Sequence, residues 1–135
     1  MNTIFPLQRI LYVEDELSIQ EVVKLALEAV GGFSVELCSS GTAAVEKAPI
    51  FSPDLILLDV MMPDMDGPST LQALRGLSQT SMTPVIFITA KAQSAELAHY
   101  EELGAVGVIT KPFDPMRLSQ DVLDIWNRYH DQDAG

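Results

Sequence analysis

Cysteine, positive charge and long apolar runs are all scarce in this chain, and each shortage argues against a class of protein. Cys38 is the single cysteine, so no internal disulfide can form, and a reducing compartment is expected. Because Cys38 lies in an apolar run, we expect a small buried residue rather than a nucleophile. No apolar stretch is long enough to span a bilayer, and the N-terminus lacks the pattern of a signal peptide. The sequence therefore predicts a soluble, cytoplasmic protein.

Positive charge is outnumbered by negative charge throughout the chain. Eight Lys and Arg residues face 19 Asp and Glu residues, which gives a formal net charge of −11. Such a surface repels phosphate backbones, and the sequence contains no basic run, so direct nucleic-acid binding is not expected. The acidic excess is compatible with a divalent-cation site, although most exposed carboxylates are simply solvated.

The chain is long and apolar enough to fold as one domain. It has 135 residues, of which 47% are hydrophobic and 20% charged, a composition typical of globular proteins. Five short apolar segments alternate with five segments of helical spacing, which predicts an α/β fold with a parallel sheet covered by helices on both faces. The predicted strands are 9–13, 33–38, 55–58, 84–89 and 107–110, and the predicted helices are 18–30, 41–48, 68–74, 94–103 and 115–129.

Punctuating residues set the predicted ends of these helices. Gly31, Gly76 and Gly104 each follow a helical segment, and Pro49 is expected to end the second helix. Residues 130–135 are polar and are expected to fray. We find no repeat, low-complexity segment or linker.

The central predicted strand ends in a carboxylate. Four aliphatic residues run directly into Asp59, and the chain then turns through Pro63 and Gly67. Ligands of open α/β sheets bind at the carboxyl ends of the strands. Taken alone, Asp59 is equally well explained as the cap of a turn.

Other polar residues end the neighbouring strands. Glu14 and Asp15 follow the first strand, Thr89 ends the fourth and Lys111 follows the fifth. Each has an ordinary explanation by itself, but the carboxyl ends of parallel strands lie at one edge of a sheet, so together with Asp59 they indicate a site.

The chemistry of this set is consistent. Three neighbouring carboxylates need a counter-charge, and Mg²⁺ prefers oxygen ligands. A lysine ammonium and a threonine hydroxyl suit phosphoryl oxygens. The set therefore predicts magnesium-dependent phosphoryl transfer onto Asp59, which would form an aspartyl phosphate.

These motifs resemble the receiver domains of two-component response regulators, of the stand-alone chemotaxis type. The resemblance covers about residues 8 to 130 and rests on Val13-Glu14-Asp15, residues 58–67 (LDVMMPDMDG), Thr89-Ala90 and Lys111-Pro112-Phe113. It implies a doubly wound, flavodoxin-like (βα)5 three-layer sandwich with strand order 2-1-3-4-5. It also implies that residues 1–135 form a single receiver domain without an output domain.

The resemblance assigns a role to each site residue. Asp59 would be the phosphoacceptor, with Thr89 and Lys111 contacting the phosphoryl group. Glu14 and Asp15 would bind Mg²⁺, Asp15 directly, together with Asp59 and the backbone carbonyl of Met61. A cis peptide bond is implied before Pro112.

The resemblance also implies the partners. A sensor histidine kinase or a histidine phosphotransfer protein would donate the phosphoryl group. A downstream protein would bind through the fourth helix, fifth strand and last helix, and the chain would be a monomer or a phosphorylation-dependent dimer. The only catalysis would be of its own phosphorylation and autodephosphorylation.

One position departs from the family pattern. Many receivers carry Tyr or Phe three residues before the lysine, where this chain has Val108. The aromatic readout of phosphorylation is therefore in doubt.

Three alternative functions were weighed. A phosphohydrolase of the haloacid-dehalogenase type needs Asp-x-Asp directly after its first strand, but here Met61 lies two residues past Asp59. A flavodoxin-like cofactor binder needs a phosphate loop where Glu14-Asp15-Glu16 would repel phosphate. An interaction module that is never phosphorylated would not need the full set of acids, Thr and Lys.

Two single residues lie outside these motifs. His99 is expected to face solvent, and Trp126 either contacts a partner or is partly buried.

Overall fold

Five parallel strands form one sheet in the computed structural model, which describes residues 6–134. The strands are β1 (Arg9–Val13), β2 (Ser34–Cys38), β3 (Leu55–Asp59), β4 (Val85–Thr89) and β5 (Gly107–Thr110), in the spatial order β2-β1-β3-β4-β5. The expected strand order is confirmed. The helices are α1 (Leu17–Leu25), which continues as a π-helical segment (Ala26–Val30), α2 (Gly41–Phe51), α3 (Gly67–Arg75), α4 (Ser94–Glu102) and α5 (Pro115–Ala134). Within the described residues, no helix could cross a membrane.

The sheet is covered on both faces, which confirms the three-layer sandwich. Alternate residues of β1, β3 and β4 pack against α1 and α5 on one face and against α2, α3 and α4 on the other. Every residue of β3 and β4 is buried, as expected for central strands of a parallel sheet. Cys38 is also buried and free, as predicted.

The prediction that Pro49 ends α2 is wrong. The helix continues to Phe51 and ends at Ser52, whose φ of 54° is left-handed. The guanidinium of Arg9 lies 4.1 Å from the centre of the Phe51 ring. It also donates to the Phe51 carbonyl, with a distance of 3.0 Å from Nε to the oxygen. A cation that binds the last helical carbonyls stabilises a C-terminal turn, and here it holds the turn that follows Pro49.

The prediction that residues 130–135 fray is wrong for the described part of this tail, because α5 continues to Ala134. The His130 ring packs edge-on against Trp126, with 4.2 Å between the ring centres. Trp126 lies in α5, and its side chain is buried in the core. Of the two alternatives, contact with a partner or burial, the structure supports burial. Residue 135 lies outside the described residues. His99 is exposed, as expected.

Two of the apolar residues that give residues 18–30 their helical spacing are exposed. Val22 is 49% exposed and Val30 is 50% exposed. Val30 ends the π-helical segment, whose wider turn shifts the side chains out of the 3.6-residue period on which the prediction was based.

Backbone hydrogen bonds align the carboxyl ends of the strands. The N–H groups of Glu14, Val60 and Lys111 donate across the sheet to Cys38, Ile88 and Thr89 at 2.9, 3.0 and 2.8 Å. The expected cis peptide bond between Lys111 and Pro112 is present. The residues that follow β1, β3 and β5 are therefore held at one edge of the sheet.

Candidate functional site

Three carboxylates meet at the carboxyl edge of the sheet. Glu14 and Asp15 follow β1, and Asp59 is the last residue of β3. Each offers one carboxylate oxygen to a group in which all the oxygens lie within 4.8 Å of one another. Glu14 is 0% exposed and Asp59 is 3% exposed, whereas Asp15 is half-buried. Two of the three acids therefore have almost no contact with bulk water.

Lys111 supplies the counter-charge inside this group. Its Nζ lies 3.2 Å from Oε1 of Glu14 and 3.3 Å from Oδ2 of Asp59. Glu16 is more remote, with an Nζ–Oε1 distance of 4.0 Å, and its side chain is more than half exposed. A single ammonium thus faces two buried carboxylates and cannot balance the whole group.

Glu14 is held by several donors in addition to Lys111. The Tyr12 hydroxyl donates to Oε1 at 3.3 Å, and the backbone N–H of Glu16 donates to Oε2 at 3.2 Å. Burial, followed by the charge of Glu14, raises the pKa of Tyr12 well above its usual range. The hydroxyl therefore keeps its proton and acts as a donor.

Asp59 and Thr89 lie on adjacent strands. Oδ1 of Asp59 accepts a hydrogen bond from the Met61 N–H at 3.2 Å, while the Met61 side chain is exposed. Thr89 follows Ile88, the residue paired with Asp59 in the β3–β4 register. The Thr89 hydroxyl is buried and accepts from the Lys91 N–H at 3.0 Å, so its own proton remains available for donation.

A close backbone contact fixes the loop that follows Asp59. The Gly67 N–H donates to the Val60 carbonyl at 2.9 Å. A Cβ at position 67 would lie 2.8 Å from the Asp59 carbonyl oxygen, closer than real side chains allow. Glycine is therefore required for α3 to begin directly beside the end of β3.

The electrostatics of the group favour an added cation. Burial, followed by the proximity of the Asp59 carboxylate, raises the pKa of Glu14 from 4.5 to about 7. Burial lowers the pKa of Lys111, but the attraction of Asp59 and Glu14 outweighs it, and the pKa is raised overall. Three carboxylates with one lysine are an all-oxygen donor set with excess negative charge, which fits Mg²⁺.

The raised pKa of Glu14 predicts a pH dependence of stability. Between pH 4.5 and about 7 the folded protein retains a proton that the unfolded chain has released. The free energy of unfolding of the metal-free protein should therefore fall as the pH rises through this window. Urea unfolding in a chelator, at several pH values, measures the change. Glu14→Gln should reduce the fall, and an equal fall in both proteins would contradict the prediction.

Two residues of this site were not identified from the sequence. Tyr12 stands in an otherwise aliphatic strand, and a buried tyrosine hydroxyl usually has a partner. Gln20 is 6% exposed and lies at helical spacing from buried Val23 and Leu27, which is an unusual place for an amide. Both residues contact Glu14. In both cases the sequence contained a signal that could have identified the residue, namely a polar side chain within an otherwise apolar strand or helix face.

The site therefore consists of a buried aspartate beside an acid pair and a lysine, at the carboxyl edge of a doubly wound sheet. The model of the response regulator receiver domain matches residues 10–123. The chain is 39% identical over 121 residues to the alkaline phosphatase synthesis transcriptional regulatory protein PhoP of Bacillus subtilis, covering 90% of this chain and 49% of PhoP. It is 44% identical over 112 residues to the transcriptional regulatory protein DltR of Streptococcus agalactiae, covering 82% and 48% respectively.

Solved structures of a response regulator and of a receiver domain also resemble this chain. The chemotaxis response regulator CheY4 of Vibrio cholerae superposes with a TM-score of 0.81 at 31% identity, covering 89% of this chain and 99% of CheY4. The receiver domain of the sensor histidine kinase PA1611 from Pseudomonas aeruginosa, with magnesium coordinated in its active-site cleft, has a TM-score of 0.77 at 31% identity. That match covers 90% of this chain and 98% of the receiver.

The chain belongs to the response regulator receiver domain family. It is therefore a receiver domain of two-component signalling. Receiver domains bind Mg²⁺ at an acidic site, and this chain has such an acidic cluster. The family acts in signalling rather than in the turnover of separate substrates. The chain spans about half the length of the curated relatives named above.

Proposed function

We propose that Asp59 accepts a phosphoryl group from a phosphohistidine of a sensor kinase or phosphotransfer protein. The single observation that supports this most is the position of the Asp59 carboxylate, 3.3 Å from Lys111 and within the group formed with Glu14 and Asp15. No other carboxylate among the described side chains of residues 6–131 belongs to such an acidic group.

Glu14, Asp15, Asp59 and the Met61 carbonyl would hold Mg²⁺, with Asp15 as a direct ligand. When bound, the cation would neutralise charge on the carboxylates and on the phosphoryl oxygens. Lys111 would pair with a phosphoryl oxygen, and the Thr89 hydroxyl would donate to another. These residues would orient the group for in-line attack.

In the transfer step, an oxygen of Asp59 attacks phosphorus and forms a new O–P bond. The N–P bond of the phosphohistidine breaks, and the imidazole leaves with the electron pair and takes up a proton from water. In autodephosphorylation, water attacks the same phosphorus, the O–P bond to Asp59 breaks, and phosphate leaves. We place both steps in the cytoplasm, where ATP supplies the phosphoryl groups of histidine kinases.

Incubation with acetyl phosphate and Mg²⁺ tests the proposal directly. Intact-mass measurement should show one added phosphoryl group, and a chelator should prevent the addition. Treatment with hydroxylamine should remove the group, as expected for an acyl phosphate. Unmodified protein under these conditions would overturn the proposal. Steady release of phosphate from a small phosphoester would instead favour a phosphohydrolase.

We infer further that the phosphorylated chain binds a downstream protein, or a second copy of itself, through the surface of α4, β5 and α5. Thr89 connects the site to this surface, because its hydroxyl accepts the Lys91 N–H at the start of the β4–α4 loop. Val108 of β5 is paired with Phe87 of β4 and is half-buried. A valine side chain has one χ angle and cannot swing as an aromatic ring does.

The β4–α4 loop should therefore carry the conformational change. When Thr89 turns towards the phosphoryl group, its bond with the Lys91 N–H is lost, and the loop of residues 90–94 should move. We expect large changes in amide exchange at residues 90–94 on formation of a beryllofluoride complex, with smaller changes around Val108. A response centred on Val108 with an unchanged loop would contradict this. Val108→Tyr should alter partner affinity while leaving Asp59 phosphorylation intact.

A further inference from the structure

The three carboxylates of the site are not held equally. Glu14 receives hydrogen bonds from Tyr12, the Glu16 N–H and Lys111, and Asp59 receives them from the Met61 N–H and Lys111. Among the side chains that the structure describes, those of residues 6–131, by contrast, none makes a hydrogen bond or ion pair with the Asp15 carboxylate. The direction in which the Asp15 side chain leaves the main chain is therefore set by its backbone and not by a hydrogen bond to its carboxylate.

That backbone is fixed by Gln20. Its amide Nε2 donates to the Glu14 carbonyl at 2.6 Å and to the Ser39 hydroxyl at 3.2 Å. The Glu14 carbonyl and the Asp15 N–H belong to one planar peptide group, so a bond to that carbonyl also fixes the start of Asp15. On its other side, Glu14 is held by its N–H, which donates to Cys38 at 2.9 Å.

We propose that Gln20 is a positioning residue for Asp15, acting through the peptide between Glu14 and Asp15. The inference rests on the proposed magnesium site. The Gln20 amide contacts the Glu14 carbonyl, and it connects the β1–α1 loop to the β2–α2 loop through Ser39. A ligand side chain whose direction is already fixed in the metal-free protein loses less conformational freedom when it binds a cation.

The effect should appear in magnesium affinity. Gln20→Met keeps a similar length and removes the donor, so the peptide can rotate and Asp15 loses its fixed direction. Partners that orient a metal ligand typically contribute about 10-fold or more to metal affinity. We expect titration calorimetry to show a loss of about that size. The Mg²⁺ concentration for half-maximal labelling by acetyl phosphate should rise by the same factor, while the rate at saturating Mg²⁺ stays close to wild type.

Two matched controls separate positioning from general stability. Gln120 is an exposed glutamine of α5 whose amide donates to Asp124 at 2.9 Å, and Gln120→Met should leave magnesium affinity unchanged. Ser39→Ala removes the weaker contact of Gln20 and should have little effect. In the metal-free protein, the amide resonance of Asp15 should shift in Gln20→Met and remain in place in both controls.

The outcomes are distinguishable. If wild-type protein binds no Mg²⁺, the proposed site is wrong. If wild type and the controls bind Mg²⁺ and Gln20→Met binds it equally well, the site stands and the role of Gln20 is overturned. A purely structural role would lower the melting temperature of Gln20→Met without changing the increment produced by Mg²⁺, and that result would also overturn it. If Gln20→Met does not fold, Gln20→Asn, whose shorter amide cannot reach the Glu14 carbonyl, gives the same test.

Discussion

Asp59→Asn should eliminate phosphoryl labelling by acetyl phosphate while making the metal-free protein more stable. The amide lacks the anionic oxygen that attacks phosphorus, so intact mass should show no addition at any Mg²⁺ concentration. The substitution also removes one of three clustered negative charges. Lys111 keeps Glu14 as a partner at 3.2 Å, and the amide oxygen can still accept the Met61 N–H. We therefore expect stability to rise by about 1 kcal/mol.

The two effects together exclude misfolding as the cause of lost labelling. Asp64 is an exposed residue of the loop after β3, and Asp64→Asn is the matched control. It should be labelled like wild type and should show no gain in stability. Labelling of Asp59→Asn at the wild-type level would refute the assignment of the phosphoacceptor. A metal-free melting temperature below that of wild type would refute the electrostatic clustering of the acids.

The sequence was sufficient to predict the acids, the threonine and the lysine of the site, but not Tyr12 or Gln20, which contact Glu14. Glu14, Asp59, Thr89 and Lys111 each stand where an apolar run ends, and in a parallel sheet such ends share one edge. No knowledge of side-chain packing was needed. The strand order, in contrast, came from the resemblance to receiver domains, because apolar runs alone do not determine which strands are neighbours.

The errors arose where a particular contact or a change of helix type outweighs the general preference of a residue type. Pro49 is a strong local signal for the end of a helix, but Arg9, which is remote in sequence, binds the Phe51 carbonyl and stabilises another turn. The end of α5 is polar, yet the rings of Trp126 and His130 pack together there. The π-helical segment after α1 likewise breaks the helical spacing to which Val30 belongs in the sequence.

Lys111→Met should produce the largest loss of stability among the substitutions considered. The side chain is 21% exposed and pairs with Glu14 and Asp59, whose side chains are 0% and 4% exposed. Removal of one partner from a buried ion pair typically costs about 3 kcal/mol or more. Because Glu14 can take up a proton when Lys111 is removed, we expect the loss of stability to stay near about 3 kcal/mol. For a domain of this size we expect the metal-free melting temperature to fall by about 10 °C.

Magnesium should restore much of the stability lost in Lys111→Met, because a divalent cation among the three carboxylates supplies the missing positive charge. The increase in melting temperature on adding Mg²⁺ should therefore be larger in Lys111→Met than in wild type. Lys47→Met is the matched control. It breaks the exposed pair with Glu36, an Nζ–Oε2 distance of 3.1 Å with side chains 51% and 37% exposed, and such pairs contribute about 1 kcal/mol or less. If both variants lose the same stability, Lys111 is not the counter-charge of a buried acidic group.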